Sequence, residues 1–154
     1  MEKKEEHPIV KEMLTPEFLK QFKNSKDLNE FIDQLFVKGM EQMLEGELDG
    51  HLGYAKHSPE GINSGNSRNG KTTKKVKTKR GELELQIPRD RNSTFEPVIV
   101  PKRGRFIEGI EEIIISLYAR GMSIRDIEIQ IRELYGVSVS DATISNVTSR
   151  VHTL

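Results

Sequence analysis

Basic side chains recur at every second position in the middle of the chain. Lys75, Lys77 and Lys79 would lie on one face of an extended strand, and Val76 would face the other way. A strand with a lysine face can lie along the phosphates of a nucleic acid, or it can be an edge strand that lysine protects from aggregation. The density of nearby basic residues favours nucleic acid. The candidate phosphate contacts are Arg68, Lys71, Lys74, Lys75, Lys77, Lys79, Arg80, Arg89 and Arg91.

A second set of candidates lies near the carboxyl end, in a short polar helix that follows a tight turn. Thr143, Ser145 and Asn146 have the side chains that meet base edges in a DNA groove. Arg150 can reach a phosphate or a guanine, and Arg125 on the preceding helix is a further candidate DNA contact. The alternative is an ordinary helical bundle with a solvated polar face, because three-helix units serve many uses.

The charges are unevenly distributed along the 154 residues, although 24 basic and 24 acidic residues give no net charge. Residues 1–66 hold 8 basic and 13 acidic residues (net −5), residues 67–105 hold 12 and 4 (net +8), and residues 106–154 hold 4 and 7 (net −3). A local excess of this size attracts phosphate backbones, while a solvated, lysine-rich loop is the alternative. The neutral sum therefore does not exclude a nucleic-acid partner.

Several classes of chemistry are disfavoured by composition and spacing. There is no cysteine, which removes disulfides, thiol catalysis and cysteine-ligated zinc. Glu41 and Glu45 are four residues apart and could share a metal, but a solvated helix face is the more ordinary interpretation. No apolar run is long enough to cross a membrane, and the charged amino terminus is no secretory signal, so we expect a cytoplasmic protein with no membrane partner.

The sequence of the first third of the chain, residues 1–56, predicts a helical arm. Residues 1–14 are charged and aperiodic, and we expect them to be frayed. Thr15 and Pro16 predict a short helix to about Phe22. Asp27 and Glu30 have the spacing of a capping box before a long helix to about residue 48, which Gly50 or Gly53 would end. Its apolar stripe is Leu28, Phe31, Ile32, Leu35, Phe36, Met40, Met43, Leu44 and Leu48.

The middle third, residues 57–105, predicts a glycine-rich loop and then a basic β-hairpin. Residues 57–71 read as loop, residues 72–78 as one strand and residues 82–87 as the other. Leu83, Leu85 and Ile87 alternate with polar residues, and Pro88 is expected to stop the second strand. A lone hairpin is marginally stable, so it must dock on a helix, a partner or DNA.

The last third, residues 106–154, predicts three short helices. The first runs from Ile107 to Tyr118 and ends at Gly121. Ser123 caps the second, whose buried stripe is expected to be Ile124, Ile127, Ile131 and Leu134, and Gly136 ends it. Ser140 caps the third, with Ile144, Val147 and Val151 facing inward. The predicted class is therefore α+β and mostly α: a helical arm, a basic β-hairpin and a three-helix helix-turn-helix unit.

Five ordered segments carry a resemblance to Mutator-type bacterial insertion-sequence transposases, and they span nearly the whole chain. They are residues 45–54 (EGELDGHLGY), 66–71 (NSRNGK), 77–85 (KTKRGELEL), 87–92 with 95–97 (IPRDRN, FEP) and 115–123 (ISLYARGMS). The resemblance implies a helix-turn-helix that binds the terminal inverted repeats of a mobile element in double-stranded DNA. We also expect a homo-oligomer in the bacterial cytoplasm, associated with the nucleoid, because the apolar stripe of the long helix can pack on the rest of the chain or on a second copy.

The resemblance further implies an acidic triad that holds Mg²⁺ and cuts and joins DNA in the full-length enzyme. In the family this triad follows the helix-turn-helix. We therefore expect an N-terminal portion that is inactive alone, and we assign it no catalytic residue, no metal ligand and no cofactor. The rival hypotheses are a non-catalytic fragment that oligomerises with the full-length enzyme and inhibits it, or a stand-alone helix-turn-helix protein.

Overall fold

Six helices and one two-stranded sheet form the part of the chain that the structure, a computed structural model, describes: residues 4–100, 106 and 109–150. This confirms the predicted α+β, mostly α class. In chain order the elements are α1 (Pro8–Met13), α2 (Pro16–Leu19), α3 (Ser25–Leu52), β1 (Arg68–Thr78), β2 (Gly81–Asp90), α4 (Ile110–Ala119), α5 (Ile124–Tyr135) and α6 (Asp141–Ser149). None of the helices in these ranges has the length and apolarity needed to cross a membrane.

The chain divides into two compact units, residues 1–35 and 36–154, and the predicted divisions at residues 56 and 105 stay predictions. In the first unit, residues 8–13 form α1 where fraying was expected. The backbone N–H of Ile9 donates to Nδ1 of His7 (3.1 Å), and Pro8 supplies a preset φ at the first helical position. Thr15 caps α2 as predicted, but α2 ends at Leu19 and not near Phe22.

Three aromatic rings pack together in this first unit. The ring centroids of Phe18, Phe22 and Phe31 lie 5.2–5.6 Å apart in pairs, in edge-on or tilted arrangements that aromatic quadrupoles favour. The predicted capping box at Asp27 is wrong. Asn24 caps α3 instead, because its Oδ1 accepts the Asp27 N–H (2.9 Å) and the helix therefore begins at Ser25.

The second unit contains two apolar cores, and the first joins α3 to the hairpin. Leu44 and Leu48 of α3 are fully buried, and Leu44 packs with Val76, Leu85 and Val100. The hairpin thus docks on a helix, as expected. Gly53 (φ +83°) ends α3 after Leu52. Three members of the predicted stripe are exposed in this chain: Leu28, Leu35 and Met43.

The two strands pair in antiparallel register, with Val76 opposite Leu83 and a two-residue turn at Lys79 and Arg80. The predicted stop at Pro88 is wrong, because β2 continues to Asp90 and β1 begins at Arg68 inside the predicted loop. A two-stranded sheet has two outer edges, and a proline whose missing N–H would face an outer edge costs no ladder hydrogen bond. The pairing is irregular between Arg68 and Lys71, opposite this proline.

The second core lies inside a three-helix unit formed by α4, α5 and α6. Its buried members are Ile110, Ile114, Ile127, Ile131, Val137, Val139, Ile144 and Val147. Ser123 caps α5 through the Asp126 N–H (3.2 Å), and Gly136 (φ +65°) closes it, both as predicted. The predicted stripe of α5 is wrong at Leu134, which is 59% exposed, because Tyr135 packs against the core in its place. Ile107 and Val151 lie outside the described residues.

The difference between Ile131 and Leu134 predicts how substitutions in α5 affect stability. Ile131→Ala removes a fully buried side chain and should lower the free energy of unfolding by about 2–5 kcal/mol. Leu134→Ala, three residues along the same helix, should change it by less than about 0.5 kcal/mol because its side chain is already exposed. Urea unfolding of both variants measures these values, and equal losses at the two positions would contradict this assignment of the core.

Candidate nucleic-acid interface

The exposed face of the hairpin carries glutamates as well as lysines. Val76 and Thr78 are buried on the other face, so the predicted alternation of β1 is confirmed. The register, however, places Glu84 opposite Lys75 and Glu82 opposite Lys77. Oppositely charged residues directly across a pair of strands attract each other and offset each other's field. The lysine face is therefore close to neutral, and its attraction for phosphate is weaker than the lysines alone predict.

Two candidate phosphate contacts at the start of β1 are engaged by acidic residues of α3. Arg68 forms an ion pair with Asp49, lies 5.7 Å from the centre of the Tyr54 ring, and is 17% exposed at its side chain. Lys71 lies 3.5 Å from Glu45 and is 50% exposed. Because Arg68 is largely enclosed and neutralised, its position suits a role in docking the hairpin on α3.

Two more acids of α3 bind backbone N–H groups. Oε1 of Glu41 accepts the Gln86 N–H of β2 (3.0 Å), and Glu47 accepts the N–H groups of Val98 and Ile99 (3.1–3.3 Å). The acidic face of α3 therefore holds the hairpin and the segment after it. Glu41 and Glu45 were expected to be a solvated face, and the structure instead gives each of them a contact with the hairpin.

Lys77, in the middle of the lysine face, contacts the three-helix unit. Its ammonium donates to the backbone carbonyl of Ser138, in the segment between α5 and α6, and its backbone forms a bridge with Phe106. Phe106 in turn packs against the three-helix core. This contact inside the chain competes with the phosphate contact that the sequence predicts for Lys77.

The remaining candidates of β1 and the turn differ in exposure. Lys74 lies on the inner face and is half-buried, and Arg80 is half-buried in the turn. Lys75 and Lys79 are exposed, and the side chain of Lys79 reaches Gly109 beside α4. Within the described ranges neither Lys75 nor Lys79 has an ion pair closer than 4 Å, so both remain available to an anion.

Arg89 and Arg91 project from either side of a buried carboxylate. Asp90 is 2% exposed, whereas both arginines are exposed and form no ion pair with any described residue. Oδ2 of Asp90 accepts hydrogen bonds from Asn66 Nδ2 (2.9 Å), Thr94 N (3.0 Å) and Thr94 Oγ1 (2.7 Å). Its Oδ1 accepts the Phe95 N–H (3.1 Å). The carboxylate thus fixes the backbone from which the two arginines extend.

These hydrogen bonds determine the ionisation of Asp90. Burial by itself would raise the pKa of this carboxyl, because it disfavours the charged form. The hydrogen bonds from Asn66, Thr94 and Phe95 favour the charged form and outweigh burial, so the pKa lies well below its ordinary value of 3.8. His51 at the end of α3 completes the cluster, with Nε2 2.9 Å from Thr94 Oγ1 and 3.5 Å from Asp90 Oδ2.

Asn66 joins this cluster to the loop before β1. Its Oδ1 accepts the N–H groups of Ser67 (2.9 Å) and Asn92 (3.2 Å), and its carbonyl accepts the hydroxyl of Tyr54 (2.7 Å). Sequence reasoning missed Asn66, Asp90 and His51 as organising residues. The sequence did contain a signal for the role of Asp90, which precedes the turn-forming residues Asn92, Ser93 and Thr94. Asp side chains often accept hydrogen bonds from backbone N–H groups a few residues further along the chain.

The helix α6 is held by a cap at its N-terminus and by buried side chains on its inner face, and its polar face is exposed. Ser140 caps the helix through the Thr143 N–H (3.1 Å), and its hydroxyl lies 2.8 Å from that of Thr143. Ile144 and Val147 are buried, so Ser145 and Asn146 between them face solvent. Arg125 is exposed at the start of α5. Arg150 contacts Glu111 of α4 (2.5 Å) and remains 66% exposed.

The acidic residues described here do not form a metal centre of the kind that the resemblance implies for a whole transposase. Across residues 4–100, 106 and 109–150, no three metal-ligating side chains cluster closely enough to hold an ion. Asp90, the buried carboxylate, already has both oxygens occupied by hydrogen bonds. The described residues therefore do not supply an acidic triad that could hold Mg²⁺.

Comparison with known proteins gives one consistent family. The sequence model described as "Transposase, Mutator family" matches residues 9–154. The transposase for insertion sequence element IS905 of Lactococcus lactis is 40% identical over 87% of this chain and 34% of its own length. The transposase for IS1201 of Lactobacillus helveticus is 35% identical over 83% of this chain and 35% of its own length. The chain thus spans about a third of the length of these relatives.

The ionisation of Asp90 predicts an acid-dependent loss of stability. Asp90→Asn replaces a charged acceptor and should lower the free energy of unfolding at pH 7 by about 1.5–3 kcal/mol. The folded pKa is below 3.8, so the contribution of this group is complete above pH 3.8 and is lost as the pH falls below it. The difference between wild type and variant should therefore shrink in acid.

Urea unfolding between pH 3 and pH 7 measures this difference. Glu96→Gln is the matched control, because it removes an exposed carboxylate from the same segment and should leave stability nearly unchanged at every pH. A constant difference between wild type and Asp90→Asn down to pH 3 would contradict the assignment.

Proposed function

The chain belongs to the Mutator family of transposases, and on this premise we propose that it binds double-stranded DNA and recognises the terminal inverted repeats of an insertion sequence. One observation carries the proposal: α6 presents Ser145 and Asn146 to solvent from a helix whose other face is buried in the three-helix core. A helix anchored in this way can enter the major groove with its polar face toward the base edges.

The side chains on this face suit base readout. Asn146 can form two hydrogen bonds with the N6 and N7 atoms of adenine. Ser145 can donate a hydrogen bond to a base edge or accept one from it. The Ser140 hydroxyl accepts the Thr143 N–H and also contacts the Thr143 hydroxyl, and these contacts hold the first turn of α6 in place. Arg125 and Arg150 extend from the surface of the same unit and are proposed to contact phosphates on either side of the groove.

The proposal predicts a loss of discrimination when the readout side chain is removed. Asn146→Ala should reduce the ratio of terminal-repeat to random DNA binding by about 1–3 kcal/mol, or about five- to 150-fold. Fluorescence anisotropy with labelled duplexes at fixed salt measures the ratio. Gln42→Ala removes an exposed amide from α3 and serves as the matched control, with no expected change.

Two results would contradict this proposal. In the first, the wild-type chain binds labelled terminal repeats no better than random DNA. In the second, Asn146→Ala keeps the full preference of the wild type.

A second candidate function, contact between copies of the chain, is favoured by the apolar surface of the first unit. Leu28 and Leu35 lie seven residues apart on α3 and are 38% and 52% exposed. Val10, Met13 and Leu19 of the same unit are also at least 40% exposed. So small a unit buries little of its apolar surface, and a second copy covering these side chains would remove them from water.

This candidate predicts oligomers that do not depend on DNA. Leu35→Glu should shift the chain toward the monomer in sedimentation equilibrium, because burial of a charge opposes association. Glu17→Gln, on the same unit, is the control. A wild-type chain that is monomeric with and without DNA would remove this candidate, and it would leave the DNA-binding proposal unaffected.

A further inference from the structure

A polar crevice opens beside the exposed Arg91, at the root of the hairpin. Its volume is about 530 Å³, and its walls come from the loop before β1 and the segment after β2. Apart from two glycines, the residues that line it carry neutral donors and acceptors or a guanidinium: Asn63, Ser64, Asn66, Ser67, Arg91 and Asn92. Serine, asparagine and arginine are among the residue types that contact phosphate oxygens and sugars in protein–DNA complexes.

Hydrogen bonds within the chain connect the two walls of the crevice. The Arg91 N–H donates to the Ser67 carbonyl (2.7 Å), and Asn92 Nδ2 donates to the Gly65 carbonyl (2.9 Å). Asn66 adds a third link, because its Oδ1 accepts the Asn92 N–H and its Nδ2 donates to Asp90. A site whose walls are already ordered loses little conformational entropy on binding.

The crevice is also positively biased. None of the residues that line it is acidic. The nearest carboxylate in the hydrogen-bond network, Asp90, is sealed from solvent and already accepts four hydrogen bonds. Arg91 is exposed, and among the described residues it has no ion pair, while neither the Asn63 side-chain amide nor the Ser67 hydroxyl has a hydrogen bond. An anion entering the crevice would therefore meet one full positive charge and two neutral side chains whose donors are unused, those of Asn63 and Ser67.

We propose that this crevice binds a backbone phosphate of DNA, with Arg91 supplying the charge and Asn63 and Ser67 supplying neutral hydrogen bonds. The inference rests on the proposed function, in that the chain binds DNA. The proposed phosphate contact lies at the root of the hairpin, away from the lysine face. On the lysine face, Glu82 and Glu84 lie opposite the lysines, and Lys77 already donates to the Ser138 carbonyl.

The salt dependence of binding to a random-sequence duplex tests the charge. Each neutralised phosphate contributes close to one unit to the slope of log affinity against log salt concentration. Arg91→Ala should therefore make the slope shallower by about one unit, and Arg91→Lys should restore it. Lys38→Ala removes an exposed lysine from α3 and should leave the slope unchanged. An unchanged slope in Arg91→Ala would overturn the proposal.

A second variant separates the neutral donors from the charge. Asn63 has a positive φ of 60°, so Asn63→Gly removes the amide without straining the backbone. It should weaken random-duplex binding roughly two- to tenfold while the slope stays the same, because no charge is lost. Unaltered affinity in this variant would remove Asn63 from the site.

Two further measurements separate the possible failures. Arg91→Ala should keep the wild-type preference for terminal repeats, because phosphate contacts carry no base information. If the wild type shows no such preference while Arg91→Ala still makes the slope shallower, the proposal of repeat recognition is contradicted and the proposal of a phosphate site in the crevice is supported. If the Asn66 and Asn92 amide signals in NMR spectra shift with inorganic phosphate but not with duplex DNA, the site holds free phosphate and the proposal is overturned. A chain that binds no duplex at low salt overturns both.

Discussion

A carboxylate closed off from water holds separate parts of this chain in one arrangement. An ionised group loses most of its hydration on burial, so it persists only where protein donors replace the lost water. For Asp90 those donors come from the loop before β1, through Asn66, and from the segment after β2, through Thr94. The backbone on both sides of Asp90 is therefore fixed, and the directions of Arg89 and Arg91 follow from that position.

Some basic residues of this neutral chain pair with acidic residues of α3, and others face solvent. The acidic face of α3 meets the basic block at its inner side, where Asp49 and Glu45 engage Arg68 and Lys71. Those cations stabilise the docking of the hairpin, and partly exposed pairs of this kind contribute modestly to stability. Other cations are exposed and have no ion pair with a described residue, Arg89 and Arg91 among them. Net charge by segment therefore overstates the number of lysines and arginines that face a partner.

Local signals in the sequence were sufficient for the helices near the carboxyl end. Ser123, Gly136 and Ser140 mark helix ends through contacts within three or four residues, and the structure confirms them. Long-range contacts could not be read in the same way. The Asp90 cluster joins residues 24 positions apart, and the Glu41 contact with Gln86 spans 45. No periodicity or propensity encodes such a pairing, because it depends on how the elements pack.

The outer edge of β2 has a consequence for self-association. The Gln86 N–H points away from β1 and is taken by Glu41 of α3, and Pro88, two residues along the same edge, has no N–H to offer. An incoming strand from another copy would find neither position able to donate a ladder hydrogen bond. The helix on which the hairpin docks therefore also disfavours strand addition at this part of the edge. A contact between copies at Gln86 and Pro88 would therefore have to be made by side chains and not by shared backbone hydrogen bonds.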